Sequence, residues 1–185
     1  MATIRHARKE ELFLDAPTIV QLIQELADYE KEPDANKATV ESIEATIAFA
    51  PSDSPDVDAS IIPDTEPIAP TRPARCLLLF SPEGVAVGMA LYFYNYSTWR
   101  SSAGIYLEDL FVRDSERGKG YGKKLLSTLA KQVLAIKGAR LDWVVLKWNE
   151  PSIKFYESIG AYAMNDWVGM RVDGDGLSKL ANLTD

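Results

Sequence analysis

Cysteine and histidine are almost absent from this chain. Cys76 is the only cysteine among 185 residues and His6 the only histidine. One thiol cannot form an internal disulfide, so secretion gets no support. A zinc set of thiolates and imidazoles cannot be assembled, and no other metal cluster stands out. Neither a Ser-His nor a Cys-His nucleophile system has support. Cys76 lies in the run CLLLF and reads as a buried small hydrophobe, while His6 reads as a surface or edge residue on a short polar strand. Positive charge is also short: the formal net charge is −7. That argues against a nucleic-acid partner, which would need a basic face, and suits a cationic substrate drawn into an acidic cleft. No apolar run approaches the length of a membrane span. The opening MATIRHARKEE has no apolar core of a secretory signal, so a cytoplasmic location is expected. Two phosphate-binding motifs are missing as well. There is no G-x-x-x-x-G-K-[ST] run, and the glycines of the chain do not show the dinucleotide-binding G-x-G-x-x-G spacing.

What is present is the amount of apolar sequence needed for one self-sufficient core. Hydrophobic residues make up 46% and charged residues 25% of the chain, so a single domain over 1–185 is expected. Its organising stretch is Ile105–Leu126, IYLEDLFVRDSERGKGYGKKLL. Ile105, Leu107, Leu110, Phe111 and Val112 predict a buried strand. Gly118, Gly120 and Gly122 then crowd a turn. Leu125, Leu126, Leu129, Val133 and Leu134 recur at helical spacing beyond it. Glycine lets backbone approach a ligand at positive φ. A helix start presents unpaired N–H groups and the positive end of its dipole. A glycine turn feeding a helix is therefore a candidate anion cradle, with Arg117, Lys119, Lys123 and Lys124 adding charge.

The flanking elements follow in order. Thr3–Arg8 predicts a strand. Asp15-Ala16-Pro17 opens a helix carrying Ile19, Leu22, Ile23 and Leu26, with Asp15 as cap. Thr39–Ala48 predicts a second helix. Pro51–Pro73 is rich in proline and aspartate and predicts an irregular insertion at about 50–75. Arg75–Phe80 and Val85–Tyr96 predict a hairpin through Ser81–Gly84. Gly138 predicts the cap of the central helix. Leu141–Leu146 reads as the next buried strand, Asn149-Glu150-Pro151 as a helix start, Met164–Val172 as a last strand and Gly174–Leu183 as a terminal helix.

The turn Arg117–Gly122 has the spacing Arg-x-x-Gly-x-Gly. It resembles the coenzyme A pyrophosphate loop of the GNAT superfamily of N-acetyltransferases. Tyr106–Val112, Asp142–Tyr156 and Leu91–Trp99 resemble the diamine (spermidine/spermine) acetyltransferase branch, and Ser97 stands where some members carry an acid. The resemblance covers roughly residues 3–49 and 76–180. It implies an α/β (α+β) GNAT fold, a mixed, strongly twisted sheet flanked by helices, with the cofactor entering a splay beside the central strand. It also implies a homodimer.

Amine acetylation requires removal of a proton from an ammonium of pKa about 10.4, a held and polarised thioester, and a proton for the leaving thiolate. The resemblance assigns the last role to Tyr156. It makes Glu108 the general base, through water, and a substrate contact. Adjacent strand residues face opposite sides, so Asp109 is expected to be structural. The implied acetyl-CoA contacts are the backbone of Leu110, Phe111 and Val112, then Arg117, Gly118, Lys119, Gly120, Tyr121, Gly122 and Lys123, with Asn149 and Ser152 on the pantetheine arm. Asn149 also reads as a plain helix cap. Tyr29, Glu30 and Trp99 are implied contacts of a small amine, a polyamine or a thialysine-like amino acid. A drug-like amine, a protein lysine and a non-catalytic acyl-CoA-binding module remain alternatives.

Overall fold

The computed structural model describes residues 1–9, 15–54 and 62–184. It divides into two compact units, Met1–Val144 and Val145–Asp185.

The first unit contains β1 (Thr3–His6), α1 (Asp15–Tyr29), α2 (Val40–Thr46), β2 (Arg75–Phe80), β3 (Ala86–Ser97), β4 (Ser102–Val112), α3 (Tyr121–Ala135) and β5 (Leu141–Asp142). The strands form one sheet in the order β1-β2-β3-β4-β5. The first three pairings are antiparallel and β4 pairs with β5 in parallel. The sheet is therefore mixed, as expected.

Strand alternation divides the apolar residues between two layers. Cys76, Leu78, Met89, Leu91 and Phe111 pack with Ile19 and Leu22 of α1 and Ile43 of α2. Leu77 and Leu79 face the other way, and α3 packs on β2, β3 and β4 with Leu125 and Leu129 fully buried. Cys76 is buried as its setting predicts. His6 lies on β1, an edge strand as expected, but not on the surface. It is buried and its Nε2 lies 2.8 Å from the Tyr92 hydroxyl. Burial and the nearby Arg75 charge push its pKa down to about 3, because a second cation there would lack solvation.

The helix ends are specific. Thr39 accepts from the Ser42 N–H while Ser42 Oγ accepts from the Thr39 N–H, a reciprocal cap. Asp15, expected as the cap of α1, is the first residue of the helix instead. Its carboxylate takes two bonds from the Arg5 guanidinium, at 2.5 and 3.0 Å, and one from the Arg8 N–H. Gly138 is not the left-handed cap of α3. Lys137 holds that position at φ 53°. The Lys137 N–H donates to Leu134 O and the Gly138 N–H to Val133 O, the paired closure of a Schellman motif. Gly138 is needed for space, since a Cβ there would lie 2.9 Å from Ala103 O and 3.0 Å from Val133 Cγ1. Lys31, at φ 67°, closes α1 the same way, with Glu32 N–H on Ala27 O.

The described part of the insertion carries neither helix nor strand, yet it is anchored. The Glu66 N–H donates to Phe49 O, Arg72 pairs with Glu66 at 2.7 Å, and Arg75 Nε donates to Thr65 Oγ1. Residues 55–61 of the insertion lie outside the described residues.

The second unit contains α4 (Glu150–Glu157) and α5 (Asp175–Ala181). Two strand expectations are corrected. Of Leu141–Leu146 only Leu141 and Asp142 pair, and Met164–Val172 forms no strand. A strand exists through its neighbour's hydrogen bonds, and no described strand pairs with 164–172. Val168, Met170 and Val172 do alternate at period two, but without a neighbouring strand that pattern forms no ladder.

Lys137→Gly should raise stability by about 0.5–1 kcal/mol by removing the Cβ penalty at positive φ. Gly138→Ala should lower it by about 1–3 kcal/mol through overpacking. Urea-denaturation midpoints of the two variants against wild type check both signs.

Candidate functional site

The site is built where β4 parts from β5. Pairing of the two runs only through Ile105–Leu141 and Tyr106–Asp142. Asn95 Nδ2 and Arg140 Nε both hold the Asp142 carboxylate, at 2.8 and 2.7 Å, so β5 is fixed at its last paired residue. From Leu107 onward that edge of β4 has no strand partner among the described residues. The opposite edge stays bonded to β3. The Arg113 N–H donates to Val87 O, and antiparallel alternation then turns Asp109 and Phe111 toward β3. Leu110 and Val112 present their amides to the open edge. Of the three residues expected to offer backbone there, Leu110 and Val112 do so, while Phe111 bonds β3 and buries its ring.

At the same level β4 bulges. Leu91 pairs with Asp109 and Tyr92 with Leu107, leaving Glu108 as the extra residue. A bulge breaks strict alternation, so the expectation that Asp109 turns away from the site is corrected. Asp109 shares the register of Leu91 and the α1 side of the sheet. There it is close enough to Glu108 and Glu30 for their charges to act on it. Burial first, then those two carboxylates, raise its pKa to about 6. Partial burial also raises that of Glu30. Glu108 is exposed. Among the described residues no lysine or arginine forms an ion pair with Glu30, Glu108 or Asp109. Sequence reasoning missed Asp109 because the bulge depends on cross-strand register. The signal in the sequence was the Glu-Asp pair itself, two acids inside an apolar strand.

The turn after β4 is open. Gly118 and Gly120 stand at φ 79° and 80°, and a Cβ at either would meet nothing within 4 Å. Gly120 precedes α3 with no side chain capping the helix, so the N–H groups of its first turn are left for a ligand. Gly122 lies inside the first turn of α3. Lys119 pairs with Glu116 and Arg117 with Asp114. Lys123 is exposed on α3 and Lys124 reaches Ala2 O.

Helix α1 is clamped to this turn. Arg113 pairs with Glu25 through Nε and Nη2 at 2.9 Å each. The Arg117 guanidinium stacks 4.6 Å from the Tyr29 ring centre. These contacts bring Tyr29 and Glu30 to the bulge and the glycine turn. Trp99 is not brought there. It sits at the tip of the β3–β4 hairpin, 89% exposed, six residues of strand and about 20 Å from Glu108. In the second unit, Asn149 caps α4 by accepting from the Ser152 N–H at 3.3 Å. Tyr156 lies in the last turn of α4, its ring 5.3 Å from that of Phe155.

A family model for the acetyltransferase (GNAT) family matches residues 38–161. This chain belongs to the GNAT acetyltransferase family. It is an N-acetyltransferase, and its chemistry is acetyl transfer to an amine. Similar GNAT relatives include an L-ornithine N5-acetyltransferase of Arabidopsis thaliana, 30% identical across 91% of this chain and 85% of that protein. A thialysine N-epsilon-acetyltransferase of Bos taurus is 32% identical across 90% of this chain and 92% of its own. Among solved structures, an integron cassette protein from the mobile metagenome of V. cholerae aligns with TM-score 0.70 over 98% of each chain at 24% identity.

The titration of Asp109 predicts a pH effect on stability. A folded pKa of about 6, above the usual 3.8, means the folded state binds the extra proton between those values. The contribution of Asp109 to stability should therefore grow as pH falls from above 6 toward 4. His6, held neutral with a pKa of about 3, withdraws stability over the same range, so the effect is read as the difference between wild type and the Asp109 variant. Asp109→Asn removes the ionised form, so it should stabilise at pH 8, with the gain fading below pH 6. Urea midpoints of both proteins at pH 8, 6 and 4.5 check this.

Proposed function

We propose that this GNAT acetyltransferase uses acetyl-CoA to acetylate a terminal primary amine of a small cationic molecule, of the ornithine, thialysine or polyamine class. The observation that supports this best is the group Glu30, Glu108 and Asp109, without a lysine or arginine ion-pair partner among the described residues, at the bulge beside the open edge of β4. Uncompensated carboxylates beside a groove are costly to hold, and a cationic amine relieves them. The names of the relatives point to the same class: L-ornithine, thialysine, and a spermidine/spermine N(1)-acetyltransferase-like protein of Homo sapiens.

The residues present fit coenzyme A. The turn at Gly118 and Gly120 leaves room for a pyrophosphate, and the uncapped start of α3, Tyr121 to Lys123, has N–H groups to hold it. The edge amides of Leu110 and Val112 suit the amides of a pantetheine arm. Arg117 and Lys119 flank the turn, and Asn149 and Ser152 are the further contacts by resemblance. Bound there, the coenzyme supplies an acetyl thioester. The chain's residues do the rest. The three carboxylates concentrate and orient the ammonium, and Tyr29 offers an aromatic wall. Glu108 takes the amine proton through water, and Tyr156 gives a proton to the sulfur. The amine attacks directly, and no covalent enzyme intermediate is involved. Trp99 would contact substrate from a second copy of the chain in the proposed homodimer.

Thiol release from acetyl-CoA should be detected with thialysine, ornithine or spermidine. Absence of release with all three would sink the small-amine reading. Tyr156→Phe should lower kcat roughly 10²-fold. The kcat/KM profile should show an acid limb at about pH 6 as Asp109 ionises, and Glu30→Gln should move that limb to lower pH.

A further inference from the structure

Arg117 makes two contacts that the coenzyme reading does not explain. Its Nε donates to Val112 O at 3.1 Å. Its guanidinium lies 4.6 Å from the Tyr29 ring centre, with the Phe111 ring at 6.0 Å. Val112 O belongs to the open edge of β4, where a pantetheine amide would find its acceptor. Tyr29 ends α1, next to Glu30 and the acid group. A single side chain thus occupies a coenzyme position and an acceptor-side position together. It is half-exposed, and its remaining partner is the exposed Asp114, at 2.7 Å.

We propose that Arg117 is a positioning residue that relays coenzyme binding to the acceptor side by releasing Tyr29. The inference rests on the coenzyme A reading above. A pantetheine N–H on Val112 O competes with the Arg117 Nε for the edge-facing side of that carbonyl and weakens its hold there. A pyrophosphate in the adjacent glycine turn offers the guanidinium a full anion, a stronger partner than an aromatic face or a solvent-screened carboxylate. Both changes pull in one direction, away from Tyr29. Backbone rearrangement is not required, because the side chain can rotate about its own torsions. The ring face that the guanidinium covered then becomes available to the cationic amine. In this arrangement Arg117 also keeps that face covered, and its positive charge beside the acid group opposes amine binding. Coenzyme and amine therefore favour each other's binding, and linkage requires the effect to be reciprocal.

The test uses the full chain labelled with 3-fluorotyrosine and the non-reactive probe desulfo-coenzyme A. The Tyr29 fluorine resonance is assigned by its loss in Tyr29→Phe. Calorimetry on the same samples measures binding. Wild type should bind the probe, and the Tyr29 resonance should move with the same saturation. In Arg117→Gln, which sits on an exposed turn, the resonance should start near the bound-state position and move little, while the probe still binds with affinity reduced about tenfold, in keeping with loss of one charge-assisted contact. Binding without movement of the wild-type resonance overturns the relay. Equal movement in Arg117→Gln overturns it too. Failure of wild type to bind the probe overturns the coenzyme A reading itself and the relay with it.

Discussion

A strand can hydrogen-bond one neighbour on each edge, and β4 loses its parallel neighbour within two residues of the point where it bulges against the antiparallel one. Pairing with β5 ends at Tyr106, and Glu108 is the extra residue against β3. The first event frees backbone amides at Leu110 and Val112. The second places Glu108 and Asp109 together, where an unbroken strand would send them to opposite faces. An open edge inside a sheet is a liability unless something takes its hydrogen bonds. Here the Arg117 side chain takes one of them, at Val112 O. The open edge, the two acids and the covering arginine are consequences of one local break in the ladder.

The rest of the first unit holds that break in place. Helix α1 is tied at both ends. Asp15, in a nearly buried pair with Arg5, fixes its start, and Glu25 and Tyr29 fix its end to the turn after β4 through Arg113 and Arg117. The buried pair has the greater structural weight, because losing one partner would strand a desolvated charge. The pair at the far end is more exposed and correspondingly weaker. That difference suits the positions: the anchor is remote from the site, and the adjustable contacts adjoin it.

Much of this was legible from residue order. The apolar run of β4, the glycine turn and the face of α3 are local patterns, and they formed where periodicity put them, except that α3 leaves Leu134 exposed. Resemblance supplied the family. What was not legible depends on cross-strand register or on space. The bulge brought Asp109 to the site, and nothing local distinguishes a bulged Glu-Asp from an alternating one. Lys31 and Lys137 close helices at positive φ where glycine is the usual signal. His6 is buried because Tyr92, far away in sequence, meets its ring. The run Met164–Val172 has strand-like residues without a strand to pair with. Trp99 belongs to a hairpin whose length carries its tip away from the bulge.

The state of Asp109 bears on the substrate's charge. An acid kept for structure is ordinarily given a partner, and its pKa falls. Asp109 has the opposite shift, while two arginines at and after the end of β4 are committed to other groups, Arg113 to Glu25 and Arg117 to Asp114 and Tyr29. Among the described residues, the cations of the neighbouring elements are thus paired outside the acid group. A neutral or anionic acceptor would leave that repulsion unrelieved. An ammonium entering the group lowers the Asp109 pKa toward its ordinary value and keeps the carboxylate ionised near neutrality. In the proposed reaction, carboxylates that draw the amine in would also stabilise its protonated form, so tight binding of the cation would oppose loss of the proton. Glu108 is the exposed member of the group, on the bulge, and that position lets water reach it. In the proposed reaction it is therefore the best placed of the three to pass the proton on, which would leave Asp109 and Glu30, more shielded, to hold the charge remaining on a dibasic acceptor.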